Sequence, residues 1–354
     1  MLRGITLILC VFAFSVLAVA LILSLSHKKS WYDRIDERKI HTGDIPRLGG
    51  LGFASAFIVA AFLVNLSATE PHFGMPFLLP LISMILVLAS GVLDDFRPLA
   101  PKYKVIIQII AALCAVLPDY TFHRLFFLDI GPLSELGWIR FPLSMLWIVG
   151  LINGMNFIDG IDGLAGGIAG LVTISYIVIF SSHGGTGFAF RLCLCLAAAI
   201  GGFLVFNAPV PKARIFMGDG GAYFLGFILA VLPLIDQGNA RSNLPLPYAA
   251  ALLIIPIFDT IAAIWRRLRE KRRIDSPDML HIHHKLKNLG LSDRGIDGVL
   301  YGLQILISVL VFFSVKTEGF GSLILLGAAY FTGICFFAII HYMNRRILKS
   351  LQPC

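Results

Sequence analysis

Apolar residues recur in long runs along the chain, and the polar residues collect in the gaps between them. The runs cover residues 5–26, 48–67, 75–93, 103–118, 140–157, 163–182, 188–207, 220–236, 246–265, 296–315 and 320–340. Each approaches the roughly 20 residues a helix needs to cross a hydrocarbon core of about 30 Å. None alternates apolar and polar positions as barrel strands do, so helices must satisfy the backbone within lipid. The pattern predicts an all-α, polytopic membrane bundle of about eleven transmembrane helices, organised as a single domain over residues 1–354. The first run follows a thin basic start at Arg3 and stays apolar through Leu25. That is longer than the apolar core of a cleaved leader, and the run is expected to remain as a span.

Composition and charge sharpen this picture. The chain is 57% hydrophobic and 14% charged, with a mean hydropathy of +0.84, whereas about a quarter of a soluble domain is charged. Of 29 Lys and Arg, 23 fall in residues 27–47, 94–104, 208–219, 266–295 and the C-terminal tail, and the other 6 lie at the amino terminus and in the opposite loops. Positive loops mark the cytoplasmic side, which places the amino terminus outside and the carboxyl terminus inside. The net charge of +8 therefore reports topology and headgroup contact first. No soluble basic module is present, so nucleic-acid binding is not indicated and no nucleic-acid partner is expected. Five of the six cysteines fall within apolar runs and no C-x-x-C occurs, which reads as small apolar filling rather than a disulfide framework.

The unusual polar residues all fall on the positive side. In "GVLDDFRPLAPKYKVIIQ", Asp94 and Asp95 stand where the third run stops, and Lys104 and Gln108 return one helical turn apart on the next. Adjacent carboxylates repel unless a cation or proton intervenes. A helix-end Asp pair can be mere punctuation, but the returning basic residues favour a metal-phosphate site. In "LINGMNFIDGIDGLAGG", Asn153, Asn156, Asp159 and Asp162 recur every third residue. Four such residues drift around a helix and cannot share one face. The helix is therefore expected to end near Asn156 or Phe157, leaving "DGIDG" as a loop whose glycines allow close approach to a ligand.

In "ARIFMGDGGAYFLGF", Asp219 opens a span whose early amides can face an anion or a metal-bound phosphate. Phe216 before it could stack on a base or anchor at the interface. Finally, residues 266–295 carry Arg266, Arg267, Arg269, Lys271, Arg272 and Arg273, then Asp278, His281, His283 and His284. A zinc site is the weaker reading of H-x-H-H, because no cysteine lies nearby. The neighbouring cations suit phosphate, with the histidines donating to it. Five carboxylates converging on one face with histidines and cations are where Mg²⁺ works on phosphoryl groups.

At these motifs the sequence resembles the polyprenyl-phosphate N-acetylhexosamine-1-phosphate transferases (glycosyltransferase family 4), which include the translocase that makes lipid I. The segments "LDDFRPLAPKYK", "NGMNFIDGIDGLAGG", "IFMGDGG" and "SPDMLHIHHKL" occur in the family's order, and "KIHTGDIPRLGG" (39–50) resembles its segment after the first span. The likeness runs from about 39 to 292. The D-x-x-H-x-H-H loop and eleven spans look closer to the branch that starts O-antigen, common-antigen or teichoic-acid chains.

The resemblance implies a reaction at the inner membrane of a bacterium. An isoprenoid lipid phosphate, such as undecaprenyl phosphate, attacks the β-phosphorus of a UDP-N-acetylhexosamine, with UDP-GlcNAc as first choice. UMP leaves, and Mg²⁺ is required, with Mn²⁺ as a substitute. It further implies that Asp94 and Asp95 activate the lipid phosphate or hold metal and that Asp219 is a metal ligand. Asn156, Asp159 and Asp162 would shape the nucleotide pocket, with Phe216 and Gly218 beside the nucleotide. Lys104, His281, His283 and His284 would hold phosphates. Ala222 stands where members often carry Ser, and Asn207 receives no role. Oligomeric state is left open, a homodimer included. The competing reading is an ion-coupled secondary transporter, since intramembrane carboxylates mark ion pathways. It should place polar groups at mid-membrane within a repeat, whereas here they gather at one interface and no internal repeat is evident.

Overall fold

The structure, a computed structural model, describes residues 2–32, 45–68, 73–125, 128–182, 187–208, 212–235, 244–276, 278 and 280–350. Seven helices come first: α1 (Leu2–Lys29), α2 (Gly49–Leu66), α3 (Met75–Phe96), α4 (Pro101–Val116), α5 (Arg140–Ile158), α6 (Leu164–Ser182) and α7 (Phe188–Asn207). Then follow α8 (Gly218–Val231), α9 (Leu246–Leu252), α10 (Ile254–Arg269), α11 (Ile282–Asn288), α12 (Asp293–Lys316) and α13 (Phe320–Ser350). The only paired strands among the described residues are β1 (Arg124–Leu125) and β2 (Leu128–Asp129), a short antiparallel hairpin. The fold is an all-α polytopic membrane bundle.

Every expected apolar run is helical, but the runs are not alike. Eight helices are long and apolar enough to cross a membrane, and α9 with α10 makes a ninth candidate bent by 85°. The run 246–265 was expected to be continuous, and it breaks at Leu253. Pro256 explains the break, because its ring lacks an N–H and clashes with the carbonyl four residues back. That carbonyl, Leu252 O, instead accepts from Gln304 Nε2 of α12 at 3.0 Å. A polar side chain from a neighbouring helix thus satisfies the freed backbone group, as lipid burial demands.

The run 220–236 also falls short of a full span. Its helix α8 has 14 residues and closes in a 3₁₀ turn at Leu232–Leu234. Pro233 removes the donor for Leu229 O, which takes Tyr176 Oη at 3.2 Å, while Trp147 Nε1 donates to Ala230 O at 2.9 Å. From Gly220 onward α8 is buried on every side, as expected of a central helix that is apolar all round. It packs against α2, α3 and α5. Two contacts are backbone to backbone: a Cβ on Gly91 would lie 2.5 Å from Gly220 Cα, and one on Gly50 would lie 2.2 Å from Gly221 Cα. Small residues at such crossings let helices in lipid approach closely. These two crossings bring the end of α3 and the start of α2 against the first turn of α8.

Around this centre, α1 packs on α2 and α7, α6 on α7 and α12, and α12 on α13. Five cysteines are free and unpaired among the described residues, in line with their apolar setting. Cys354 lies outside the described residues, as do residues 39–44 of the "KIHTGDIPRLGG" segment.

Candidate active site

The aspartate pair at the end of α3 splits between two sets of partners. Arg97 is extended, as a residue before proline must be, and the chain turns so that Leu99 N donates to Asp94 Oδ1 at 2.7 Å. Lys104 of α4 forms an ion pair with Asp94 Oδ2, and Tyr223 Oη of α8 approaches the same oxygen at 3.3 Å. Asp95 faces the other way. Its carboxylate accepts from Asp219 N at 3.0 Å and Gly220 N at 3.2 Å, and Arg47 Nε stands 3.6 Å from it.

Asp95 therefore fills two of the first amides of α8, which were expected to face a phosphate. A carboxylate at a helix N-terminus is favoured by those unpaired N–H groups and by the helix dipole. The pair is 4% and 6% exposed, so repulsion between the neighbours is relieved by separate cations and donors. The Asp219 side chain points back at Asp94, and the two carboxyl groups meet at hydrogen-bonding range. Gly218 adopts φ +74°, and a Cβ there would lie 2.0 Å from Arg47 O. Its place is a tight backbone crossing in front of Asp95.

The segment before α8 is held in register by residues 45–50. Phe216 N donates to Pro46 O at 2.7 Å, Gly49 N to Phe216 O at 2.9 Å and Gly50 N to Met217 O at 2.8 Å. Phe216 is half-buried beside the first turn of α8.

The asparagine and aspartate ladder separates into structural and unspent members. Asn153 exchanges amide bonds with Gln108 of α4 at 2.7 and 3.4 Å and also donates to Val149 O. It ties α5 to α4. Helix α5 ends at Ile158, close to the expected end, and Asp159 caps it. Asp162 Oδ2 accepts from Ala213 N at 2.7 Å, while Oδ1 is buried without a partner among the described residues. Asn156 and Asp159 are half-buried and have no side-chain hydrogen bond among the described residues.

Burial, with the negative charges of Asp95 and Asp162, pushes Asp159 from the ordinary 3.8 to about 7. Folding therefore favours its protonated form. The stability this group contributes is full below about pH 4 and is lost as the pH rises through 7. Asp159→Asn should accordingly flatten the pH dependence of the thermal midpoint between about pH 4 and 7. An unchanged slope in that variant would contradict the assignment.

Three residues that carry no obvious sequence signal shape this turn. Asn207, left without a role above, accepts from Gly163 N and donates to Ile215 O, both at 3.0 Å. Tyr301 Oη of α12 donates to Gly163 O at 2.7 Å. Arg294 reaches Ala208 O at 3.0 Å and Asp297 at 3.2 Å. Together they lock "DGIDG" to the connector that leads into α8.

The histidines line the far side of the same turn. His283 lies flat against Gly160, where a Cβ would fall 2.2 Å from Nε2. Burial and the neighbouring His284, His281 and Lys287 hold His283 well below the usual imidazole range, and burial lowers His284 too. Both rings are thus neutral hydrogen-bonding groups at pH 7, and His283 Nδ1 is buried without a partner among the described residues. His281 packs at a 32° tilt against Phe157, with centroids 4.9 Å apart.

Much of the cationic run already has counterions. Burial would raise Asp278, but the hydrogen bond and charge of Arg266 outweigh it and hold the carboxyl below its usual range. Arg272 pairs with Glu270 and Arg273 with Asp275. Arg267 sits over Phe157, 5.5 Å from its centroid.

The motifs thus meet at one end of the bundle. The five carboxylates do not close on a single point, however, because Asp162 turns to the connector. Among the described residues no three His, Cys, Asp or Glu side chains stand in a metal-holding group. What does fit a hard cation is the Asp94–Asp219 pair, two carboxyls in close approach, with Asp159 near enough to Asp95 to feel its charge. Mg²⁺ characteristically takes one or two carboxylates and completes its shell with water and substrate phosphate.

Comparison with known proteins decides the family. A model of glycosyl transferase family 4 matches residues 77–236. The chain is 35% identical over 280 residues to the "Probable undecaprenyl-phosphate N-acetylglucosaminyl 1-phosphate transferase" of Bacillus subtilis, covering 78% of this chain and 75% of that one. The chain belongs to glycosyl transferase family 4. It is also 32% identical to the decaprenyl-phosphate N-acetylglucosaminephosphotransferase of Mycobacterium tuberculosis (75% of this chain, 71% of that one). The undecaprenyl-phosphate alpha-N-acetylglucosaminyl 1-phosphate transferase of Salmonella typhi is 29% identical (81% and 77%). The family match spans α3 to α8 and so contains both the α3–α8 junction and the "DGIDG" turn.

Proposed function

We propose that this family member transfers N-acetylglucosamine 1-phosphate from UDP-GlcNAc to a polyprenyl phosphate at the cytoplasmic face of a bacterial inner membrane. An oxygen of the lipid phosphate attacks the β-phosphorus. The bond from that phosphorus to the bridging oxygen breaks, UMP leaves, and a lipid diphosphate-sugar remains. The observation that carries this reading is the approach of Asp94 to Asp219 at the α3–α8 junction, with Asp159 within charge range of Asp95. It supplies two carboxyls for a cation near Asp159, whose own carboxyl makes no side-chain hydrogen bond among the described residues. The transporter alternative has no support, because these groups are gathered at one end of the bundle around the α3–α8 junction.

In this reading Asp94 and Asp219 would hold Mg²⁺, and the ion when bound neutralises diphosphate charge. Lys104 fixes Asp94 and brings a positive charge to the lipid phosphate. Asn156 and Asp159 face the nucleotide, Phe216 flanks it, His283 and His284 donate hydrogen bonds to phosphate oxygens, and His281 stands beside them. Asp162 Oδ1 and His283 Nδ1 are among the buried atoms without a partner among the described residues, and buried polar atoms of this kind call for a ligand or water. The basic loops support a cytoplasmic position for this end of the bundle and an outside position for the amino terminus.

Purified protein in detergent, given undecaprenyl phosphate, Mg²⁺ and a panel of UDP-sugars, should release UMP with UDP-GlcNAc. Chelation of the cation should stop it and added Mg²⁺ should restore it. Release that is indifferent to chelation would refute the metal, and no release from any UDP-sugar would refute the reaction.

A further inference from the structure

His281 is held along one edge and one face. Its Nδ1 stands 2.8 Å from Asp259 Oδ2, and Phe157 packs against the ring at a tilt. The second oxygen of Asp259 accepts from Ile282 N, the first amide of α11, at 2.8 Å. Helix α11 has no side-chain cap of its own, so a carboxylate from the middle of α10 supplies one and grips the preceding imidazole in the same stroke. Asp259 is only 1% exposed, and a buried carboxylate is retained where its partners compensate it.

The consequence is chemical. With Nδ1–H donating to the carboxylate, Nε2 is the nitrogen left to act. It has no partner among the described residues and is not sealed from solvent. A carboxylate behind a histidine fixes which nitrogen carries the proton and where the ring points. The family motif identifies the histidine loop, but Asp259 lies outside it, in the apolar stretch "IPIFDTIAAIW". Resting on the proposed transferase reaction, we infer that Asp259 is a positioning residue: it sets the tautomer and aim of His281, so that the unprotonated Nε2 faces the substrates as an acceptor.

Asp259→Asn is the informative variant. The amide keeps an oxygen for Ile282 N and turns its NH₂ toward His281 Nδ1, which then becomes an acceptor and moves the ring proton to Nε2. The expected result is a fall in kcat of about 10- to 100-fold, a much smaller change in KM for UDP-GlcNAc, and an unchanged thermal midpoint. In a His281→Ala background the same change should have no further effect. Spectra of ¹⁵N-histidine-labelled protein, with the His281 signal assigned through His281→Ala, should show the Nδ1–H form in the native chain and the Nε2–H form in Asp259→Asn.

Full activity in Asp259→Asn, the same fold loss with and without His281, or an unaltered tautomer would each overturn the inference. A native chain that releases no UMP but shows the tautomer change would refute the proposed reaction while supporting the pairing.

Discussion

Replacing Asp219 with Asn should cut UMP release by about a hundredfold to a thousandfold, the scale of a lost electrostatic group in a closed site, and leave the thermal midpoint in detergent unchanged. The argument lies in how Asp219 is built in. Its backbone N–H is bound by Asp95, and that bond survives the substitution. Its side chain stands against the Asp94 carboxyl, and an amide in its place can still donate to Asp94. The amide can still accept, but it brings no charge to a divalent ion or to the diphosphate. A variant that loses stability along with activity would show that Asp219 serves the fold instead.

Asp95→Asn should behave differently although it stands next to Asp94 in sequence. Here both oxygens are spent on Asp219 N and Gly220 N, and Arg47 stands beside them. An amide offers one acceptor oxygen, so one buried N–H loses its partner and Arg47 loses one nearby negative charge. Leaving such a group unsatisfied costs about 1–3 kcal/mol, measurable as a lower thermal midpoint. Because this carboxylate aligns the first turn of α8, turnover should drop with it. Equal midpoints for native and Asp95→Asn protein, alongside full turnover, would remove Asp95 from both roles.

The contrast between these two variants marks what the sequence can and cannot tell. Helical runs are legible because lipid demands continuous apolar stretches, and the Asp-rich motifs stand out against such a background. The end of α5 near Phe157 follows from the drift of Asn153, Asn156 and Asp159 around a helix. The break at Leu253 was present as Pro256, but a single proline inside a long apolar run does not say whether a helix kinks or stops.

The remaining features depend on partners far away in the chain. Asp95 caps a helix that begins 123 positions later, at Gly218, so no local capping pattern reveals it. Asn207 is read as the end of α7 until Gly163 and Ile215 are brought to it. Asp259 resembles a stray acid in an apolar segment until His281 arrives. Gly50 and Gly91 show their purpose only when α8 lies between α2 and α3. In each case the missing information is tertiary: which backbone stands within 3 Å of which side chain.

The central claim is that Asp94 and Asp219 hold a divalent cation for the diphosphate at the start of α8. Mn²⁺ titrated into the native chain and into Asp219→Asn, with free ion counted by electron paramagnetic resonance in the presence of UDP-GlcNAc, tests it directly. The account predicts one bound ion per native chain, and Mg²⁺ should compete for it. That ion should be lost in the variant. Equal Mn²⁺ binding by the two proteins would contradict it.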